Sequence, residues 1–358
     1  MGQPAPVVDD AAPVPTLDGL RRLVSEWVGR PAYILDWIDL SGRPVGNHGD
    51  ELMRRVFELI LNDFGIRRVS SPAQASLLIL PPSGALLDRY SSAWLVREKL
   101  SRLPDLPLVV FPSSAWFTTR NPALMFAGRR APTRLILREP RSFAHLRDEW
   151  GAALAGAGVT LALDHDVVMS GHRHLGAALG TTAHAADGTL LAARMDQEAG
   201  DMPEPELRSF HCPTVRQQLV HAAVRRVPTP LRLALLRHRA RERQQRANEA
   251  LLARVTGRVP DDLLARVRPD SFDVSSPLYG TYAHYARSIV TARAVITDRL
   301  HVAMPAALLG KPTVLVECGY HKLAGVYEHS LRGLPNVCFI ARDFIARDGG
   351  PPAGRDAA

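Results

Sequence analysis

"AVITDRLHVAMPAALLGKPTVLVE", residues 294–317, sets how the rest of the chain is read. A short β-branched run is followed by residues of helical character over 301–309, and then by a second apolar run that ends at Glu317. Strand, helix, strand over so short a span predicts two parallel neighbours joined by a crossover helix. In such a unit both strands end on the same edge of the sheet. Asp298, Arg299 and His301 close the first strand; Glu317 and then Lys322 follow the second. Charge gathered at two strand ends is where an α/β sheet holds a ligand, and its composition suits an anion.

The same pattern extends toward the N-terminus. "AYILDWIDL" (32–40) reads as a strand, "SGRPVGNHGDELM" (41–53) as a glycine-rich turn, and 51–63 has apolar residues at helical spacing. The unit repeats with "SLLIL" (76–80), "LPLVVFPSSAWF" (106–117), "RLILREPRSFAHLRDEW" (134–150) and "VTLALDHDVVM" (159–169). Short, wholly apolar strands alternating with helices predict parallel sheets covered on both faces. The expected fold class is α/β, with two Rossmann-like domains facing across a cleft. The expected boundaries are 30–172 for the N-terminal domain and 188–343 for the C-terminal one, with a loop-like bridge over 171–188. Residues 1–29 are set aside as a disordered leader, although 17–28 has helical spacing, and 344–358 as a frayed tail.

At 358 residues the chain exceeds the size at which single cores stop growing, about 250–300 residues, which is why two domains are expected. No apolar stretch approaches the ~20 residues of a membrane span. "MGQPAPVVDDAAPVPTLDG" lacks the basic-then-apolar order of a signal peptide, and Pro6 stands where a myristoylation motif needs Ser or Thr. The expected location is cytoplasmic. Cys212, Cys318 and Cys338 are too few for a disulfide framework, and the last two read as core-side residues. The net charge of +8 lies in one place: nine arginines and one acid between Arg216 and Arg246. The remainder of the chain is neutral, so only this segment needs an anionic partner.

The polar clusters at predicted strand ends supply the candidate site. In "GNHGDELM", Asp50 is placed to cap the next helix, whereas Asn47 and His48 are expected to reach a ligand. The turn is neither a GxxxxGK[ST] phosphate loop nor a GxGxxG dinucleotide turn. Arg138 and Arg141 flank the proline turn of "LREPRSF", either gripping a carboxylate or phosphate or pairing with Glu139 or Glu149 at the surface. Arg194 stands at the end of "LLAAR", with a domain-domain ion pair as its other reading. "DHD" (164–166) and "GHRH" (171–174) have some metal-ligating character, but no metal is expected. His301 is the candidate proton carrier and Arg299 the group beside it that holds the anion. Lys322 opens a predicted helix, where the helix dipole disfavours a cation unless an anion is near.

These stretches, taken in order, resemble the polysaccharide pyruvyl transferase family. "NHGDELM", "LREPRSFAHL", "LALDHDVVM", "LLAARMDQE" and above all "VITDRLHVAMPAALLGKPTVLVECGYHKLAGVYE" carry the likeness, over about 30–200 and 275–340. The resemblance implies a GT-B-like fold and transfer of pyruvate from phosphoenolpyruvate to two hydroxyls of a sugar as a cyclic ketal. It would place Arg299 and His301 at the donor, with Arg194 a further anion ligand; no cofactor is implied. Family members carry a glycine run after the second strand, where this chain has "LPPSGALLDRY". That departure bears on acceptor choice.

The residues suit this chemistry independently. Arg138, Arg194, Arg299 and Lys322 offer charge to a donor bearing both carboxylate and phosphate, His301 can carry a proton, and Asp50 or Glu317 can orient the sugar. The expected partners are phosphoenolpyruvate and a sugar or lipid-linked glycan acceptor belonging to an exopolysaccharide, cell-wall glycan or glycolipid. The other enzymatic reading is a GT-B glycosyltransferase using a nucleotide sugar. A nucleic-acid binder is disfavoured, because the basic run has no interleaved aromatics on which bases could stack. Segment 214–250 is expected to be helical, broken at "VPTP" (227–230). It either meets an anionic membrane surface through 216–246 or packs its leucines on the second domain.

Overall fold

The computed structural model describes residues 14–37, 46–84, 86–88, 90–180, 187–195, 229–269, 272–277, 280–319 and 321–341. In the first half lie strands β1 (Pro31–Ile34), β2 (Arg67–Arg68), β3 (Leu77–Leu80), β4 (Leu86–Leu87), β5 (Leu108–Ser113), β6 (Ala115–Trp116), β7 (Thr133–Leu137) and β8 (Val159–Leu163). Six of them form a parallel sheet in the order β2-β1-β3-β5-β7-β8, and β4 pairs with β6 in a small separate ladder. In the second half β9 (Thr189–Ala192), β10 (Val267–Pro269), β11 (Ala294–Thr297), β12 (Thr313–Val316) and β13 (Val337–Ile340) form a parallel sheet ordered β10-β9-β11-β12-β13. The opening stretch is thus β11, a helix and β12, paired parallel as its pattern predicts.

The helices are α1 (Asp18–Leu23), α2 (His48–Asp63), α3 (Ser91–Ser101), α4 (Pro140–Gly156), α5 (Val167–Ser170), α6 (Leu175–Leu179), α7 (Thr229–Val255), α8 (Asp261–Leu264), α9 (Tyr282–Val290), α10 (Leu300–Leu308) and α11 (Lys322–Val326). A π turn, Tyr327–Leu331, continues α11. Burial falls into three apolar clusters. One lies on the outer side of the first sheet, around Leu78, Leu80, Leu108 and Val110 with α3 and α4. Another lies on the outer side of the second sheet, with Leu191, Ile296 and Val314 against Leu251 and Val255 of α7. The third runs between the sheets without interruption, from Ile79, Val109 and Ile136 through Leu52, Val56 and Phe57 of α2 to Leu190, Val295 and Leu315. Burying one such side chain is worth about 1.5–3 kcal/mol, so this middle layer is what holds the two sheets to each other.

Three sequence expectations need correction. Part of the segment assigned to the leader is folded: α1 and the turn after it bury Leu17, Leu20, Val24 and Trp27 in the middle core. The bridge at 171–188 is helical in its first part, where α6 packs on α2 just after α5. Gly171 is there for close approach, since a Cβ at that position would lie 2.6 Å from Val56 Cγ1. Cys338 is exposed on β13, which lies at the sheet edge. The basic segment forms α7 from Thr229, and its first part, 214–228, lies outside the described residues, as do 1–13 and 342–358. The second half of α7 docks on the second sheet through Ala240, Gln244, Asn248, Leu251 and Val255. Gln244 donates to the carbonyl of Ala193 at 3.1 Å. Arg239, Arg241, Arg243 and Arg246 are exposed. Among the described residues no helix is long and apolar enough to cross a membrane.

Candidate functional site

Four residues read from the sequence as strand-end groups stand past the carboxyl end of a strand. Arg138 follows β7, Arg194 follows β9, Asp298 follows β11 and Glu317 follows β12. The centre of the arrangement is a residue that the sequence reading did not select, Asp166. It follows β8, is fully buried, and caps α5 by accepting the Val168 N–H at 2.9 Å. Its Oδ2 takes a hydrogen bond from Arg138 Nη1 at 2.7 Å and lies 3.2 Å from His301 Nε2. Burial alone would push this carboxyl up, but the His301 ring and the Arg138 guanidinium outweigh it and hold the carboxyl well below the usual carboxylate range. One buried carboxylate therefore orients both a cation from the first sheet and a histidine from the second.

Arg138 is 1 % exposed and donates from Nε to Ser114 Oγ at 2.8 Å. Its remaining nitrogen, Nη2, points across Gly84, 3.0 Å from where a Cβ on that glycine would stand. Lys322 Nζ approaches the same point to 3.4 Å. Two buried cations from opposite halves of the molecule thus converge over one glycine backbone, at the single glycine this chain keeps in "LPPSGALLDRY". Glu139 leaves Arg138 to other partners because it caps α4, accepting the Ser142 N–H at 2.9 Å, and burial raises its carboxyl. Arg141 bonds Glu328 at 2.8 Å, across to the π turn.

His301 is seated by backbone and packing. The Tyr285 hydroxyl donates to its carbonyl, and its ring lies on Gly49 in the first turn of α2. A Cβ at Gly49 would come within 2.8 Å of His301 Cβ, which cannot swing away as the far end of a long side chain could. Replacing Gly49 by alanine is expected to cost about 1–3 kcal/mol in urea denaturation and to displace the His301 ring.

Arg299 is committed elsewhere: its Nη2 donates to Asp273, which is buried with it. Arg194 donates its N–H to Asp298 Oδ1 at 2.8 Å, and burial raises Asp298 despite the flanking Arg194 and Arg299. These four residues form a second charged group at the end of the second sheet. Asn47 was expected to reach ligand, and here the sequence reading is corrected. Its side chain caps α2, accepting the Gly49 N–H at 2.7 Å and the Asp50 N–H at 3.4 Å, while Asp50 Oδ2 accepts the Asn47 N–H at 2.8 Å. The pair is a reciprocal capping box, with Asp50 in the position where Glu or Gln usually stands. His48 bonds the Gly280 carbonyl at 3.0 Å. Glu317 is half-buried and is held through its N–H to Ile340 at 2.9 Å.

Neither metal-like motif gathers a ligand set, and among the described residues no three His, Cys, Asp or Glu side chains do so. His174 and Arg173 both bond Asp63, the latter at 2.5 Å. His165 stacks on His329 with ring centroids 4.1 Å apart. His321 meets the ring of Trp116 at 4.0 Å, and Trp116 stacks on His145 at 3.8 Å.

Burial and the His329 ring push His165 down to about 4; burial, with Arg141, His145 and Lys322, does the same to His321. An unfolded histidine protonates near pH 6.5, so between about 4 and 6.5 the unfolded chain binds more protons. Stability from these two residues is complete above that window and is lost as pH falls through it. His145 and His329, also lowered by burial, add to the effect. Asp164 opposes it: burial raises it to about 6, so its contribution is present at low pH and is lost as pH rises through about 6. Glu139 and Asp298, also raised by burial, oppose it in the same sense, so four lowered histidines stand against three raised carboxyls. The urea midpoint is expected to fall between pH 6.5 and 4, and a flat profile would contradict these burial assignments.

The fold defines the chain as an α/β protein built on two parallel sheets, with the charged residues of the candidate site at their carboxyl ends. The crystal structure of an uncharacterised protein from Klebsiella pneumoniae is similar to it, with a TM-score of 0.51 and 14% sequence identity over 90% of this chain and 97% of that one. At that identity the likeness concerns the fold alone. No protein family matches the chain, and no curated protein matches it.

Proposed function

We propose that this protein is a pyruvyl transferase, which moves pyruvate from phosphoenolpyruvate onto two hydroxyls of a glycan sugar as a cyclic ketal, on a GT-B-like arrangement of its two sheets. The observation that carries the reading is the convergence of Arg138 Nη2 and Lys322 Nζ over Gly84, beside a histidine held by a buried carboxylate. Phosphoenolpyruvate carries a carboxylate and a phosphate on one and the same carbon of a small molecule. Two desolvated cations presented over bare backbone suit such a dianion, because charge pairing strengthens where water is excluded.

In this reading His301 gives a proton to the methylene carbon, which becomes a methyl group, while an acceptor hydroxyl oxygen bonds the neighbouring carbon. The hydroxyl proton returns to His301. The carbon–oxygen bond to phosphate then breaks, phosphate leaves with the electron pair, and a second hydroxyl closes the ketal and gives up its proton to the departing phosphate. Asp166 keeps the His301 ring oriented through both proton movements. Arg138 and Lys322 neutralise the leaving phosphate. Arg194 and Arg299, each within the second charged group, border this centre from the second sheet. Acceptors carried on lipid would be met at the inner face of the membrane, where the exposed arginines of α7 favour an anionic surface.

The test is thermal stabilisation by phosphoenolpyruvate, with nucleotide sugars in parallel. A ligand at 100 times its Kd stabilises by about 2.7 kcal/mol, which gives a clear shift. The shift with phosphoenolpyruvate is expected to shrink markedly in Lys322→Met. Stabilisation by a nucleotide sugar and not by phosphoenolpyruvate would replace this reading with a glycosyltransferase.

A further inference from the structure

Lys322 is the first residue of α11, where the helix dipole opposes a cation, and its side chain is flexible. Where Nζ stands therefore depends also on how the start of α11 is seated. The residue before it, His321, rests on Trp116, whose ring is backed at 3.8 Å by His145. His145 is held by the backbone of Phe117, whose N–H lies 3.1 Å from Nε2. Trp116 belongs to β6, and its partner in the ladder is Leu87 of β4, three residues beyond Gly84. The same two-stranded ladder thus sets both the glycine and the ring on which the lysine's helix is seated. On its other side α11 comes close to the first half through Gly325, where a Cβ would stand 2.7 Å from Glu139 Oε2.

We propose that Trp116 is a positioning residue of the donor site: by seating His321 it fixes Lys322 Nζ opposite Arg138 Nη2, so that the two cations grip one anion. The inference rests on the reading of that cation pair as the donor site. Trp116 itself touches no substrate in this role. Removing its ring lets the start of α11 drift, and the distance between Lys322 Nζ and Arg138 Nη2 is then no longer fixed.

The experiment is a double-mutant cycle read by calorimetric titration. Phosphoenolpyruvate is titrated into wild-type protein, Trp116→Leu, Lys322→Met, the double variant and Trp116→Phe, and inorganic phosphate is titrated into the same set. Trp116→Leu is expected to weaken phosphoenolpyruvate binding about tenfold, a typical size for one coupled contact. The double variant should bind no worse than Lys322→Met alone, and Trp116→Phe, which restores a flat ring, should bind within about threefold of wild type. Losses that multiply in the double variant, or an unaffected Trp116→Leu, would overturn the proposal. So would failure of Trp116→Phe to recover binding while its thermal melt matches wild type. If wild-type protein binds phosphate but not phosphoenolpyruvate, the donor reading fails and the phosphate cycle decides the role of Trp116 by the same criteria. Binding of neither anion overturns both.

Discussion

Replacing His301 by glutamine is expected to leave phosphoenolpyruvate binding nearly intact and to slow turnover by about 10²–10⁴-fold, the contribution of a positioned proton carrier. Glutamine occupies a similar volume and can bond Asp166, so the surroundings of Arg138 are kept while the titratable ring is lost. Phosphate release from phosphoenolpyruvate in the presence of an acceptor glycan reports turnover; calorimetric titration reports binding. If affinity and turnover fell together, His301 would be a binding residue and the proton carrier would have to be sought elsewhere.

The second large effect concerns stability. Asp166→Ala removes the carboxylate that, among the described residues, is bonded to Arg138, which is 1 % exposed. Breaking a buried pair from one side costs about 3–5 kcal/mol, because the remaining charge is stranded, whereas replacing both partners by apolar groups of similar volume is often close to neutral. Urea denaturation is therefore expected to show a severe loss for Asp166→Ala and substantial recovery in Asp166→Leu with Arg138→Met. The depressed carboxyl also fixes a pH dependence. Its stabilisation is complete above the unfolded value near 3.9 and is lost progressively as pH falls from there toward the much lower folded value, beginning at the lower edge of the histidine window. A loss in Asp166→Ala no larger than that of an exposed ion pair would show that solvent reaches Arg138.

The central strands were legible because each is buried on both faces and reads as an unbroken apolar run, as in Leu77–Leu80 and Thr313–Val316. The edge strands β2, with two exposed arginines, and β10 carry no such run and could not be found that way. Helix α6 lies in the stretch read as a loop-like bridge, which opens on Gly171 and contains Gly176; the tight approach of α2 explains the first of these glycines. In α7 the docking face includes Gln244 and Asn248, polar residues that bond each other, so hydrophobic spacing did not mark it.

The site was legible in part for the same reason. Strand ends mark where functional groups collect, and Arg138, His301 and Lys322 were found at them. Pairing was not legible: Asp166 lies 28 positions from Arg138 and 135 from His301. A carboxylate between a strand and a short apolar helix looks like a cap, which Asp166 also is. Asn47 misled in the other direction, since capping satisfied a side chain that the sequence left open to a ligand.

The unbroken apolar layer between the sheets limits how the molecule can breathe. A hinge that swung the halves apart would wet Val56 and Phe57 together with the strand faces on either side, a loss of several side chains' burial at once. Relative motions of the two halves are therefore confined to sliding or twisting of one sheet's rim past the other, with α2 as the bearing. Because His301 lies against Gly49 in the first turn of that helix, such sliding would be sensed at the histidine before anywhere else in the site.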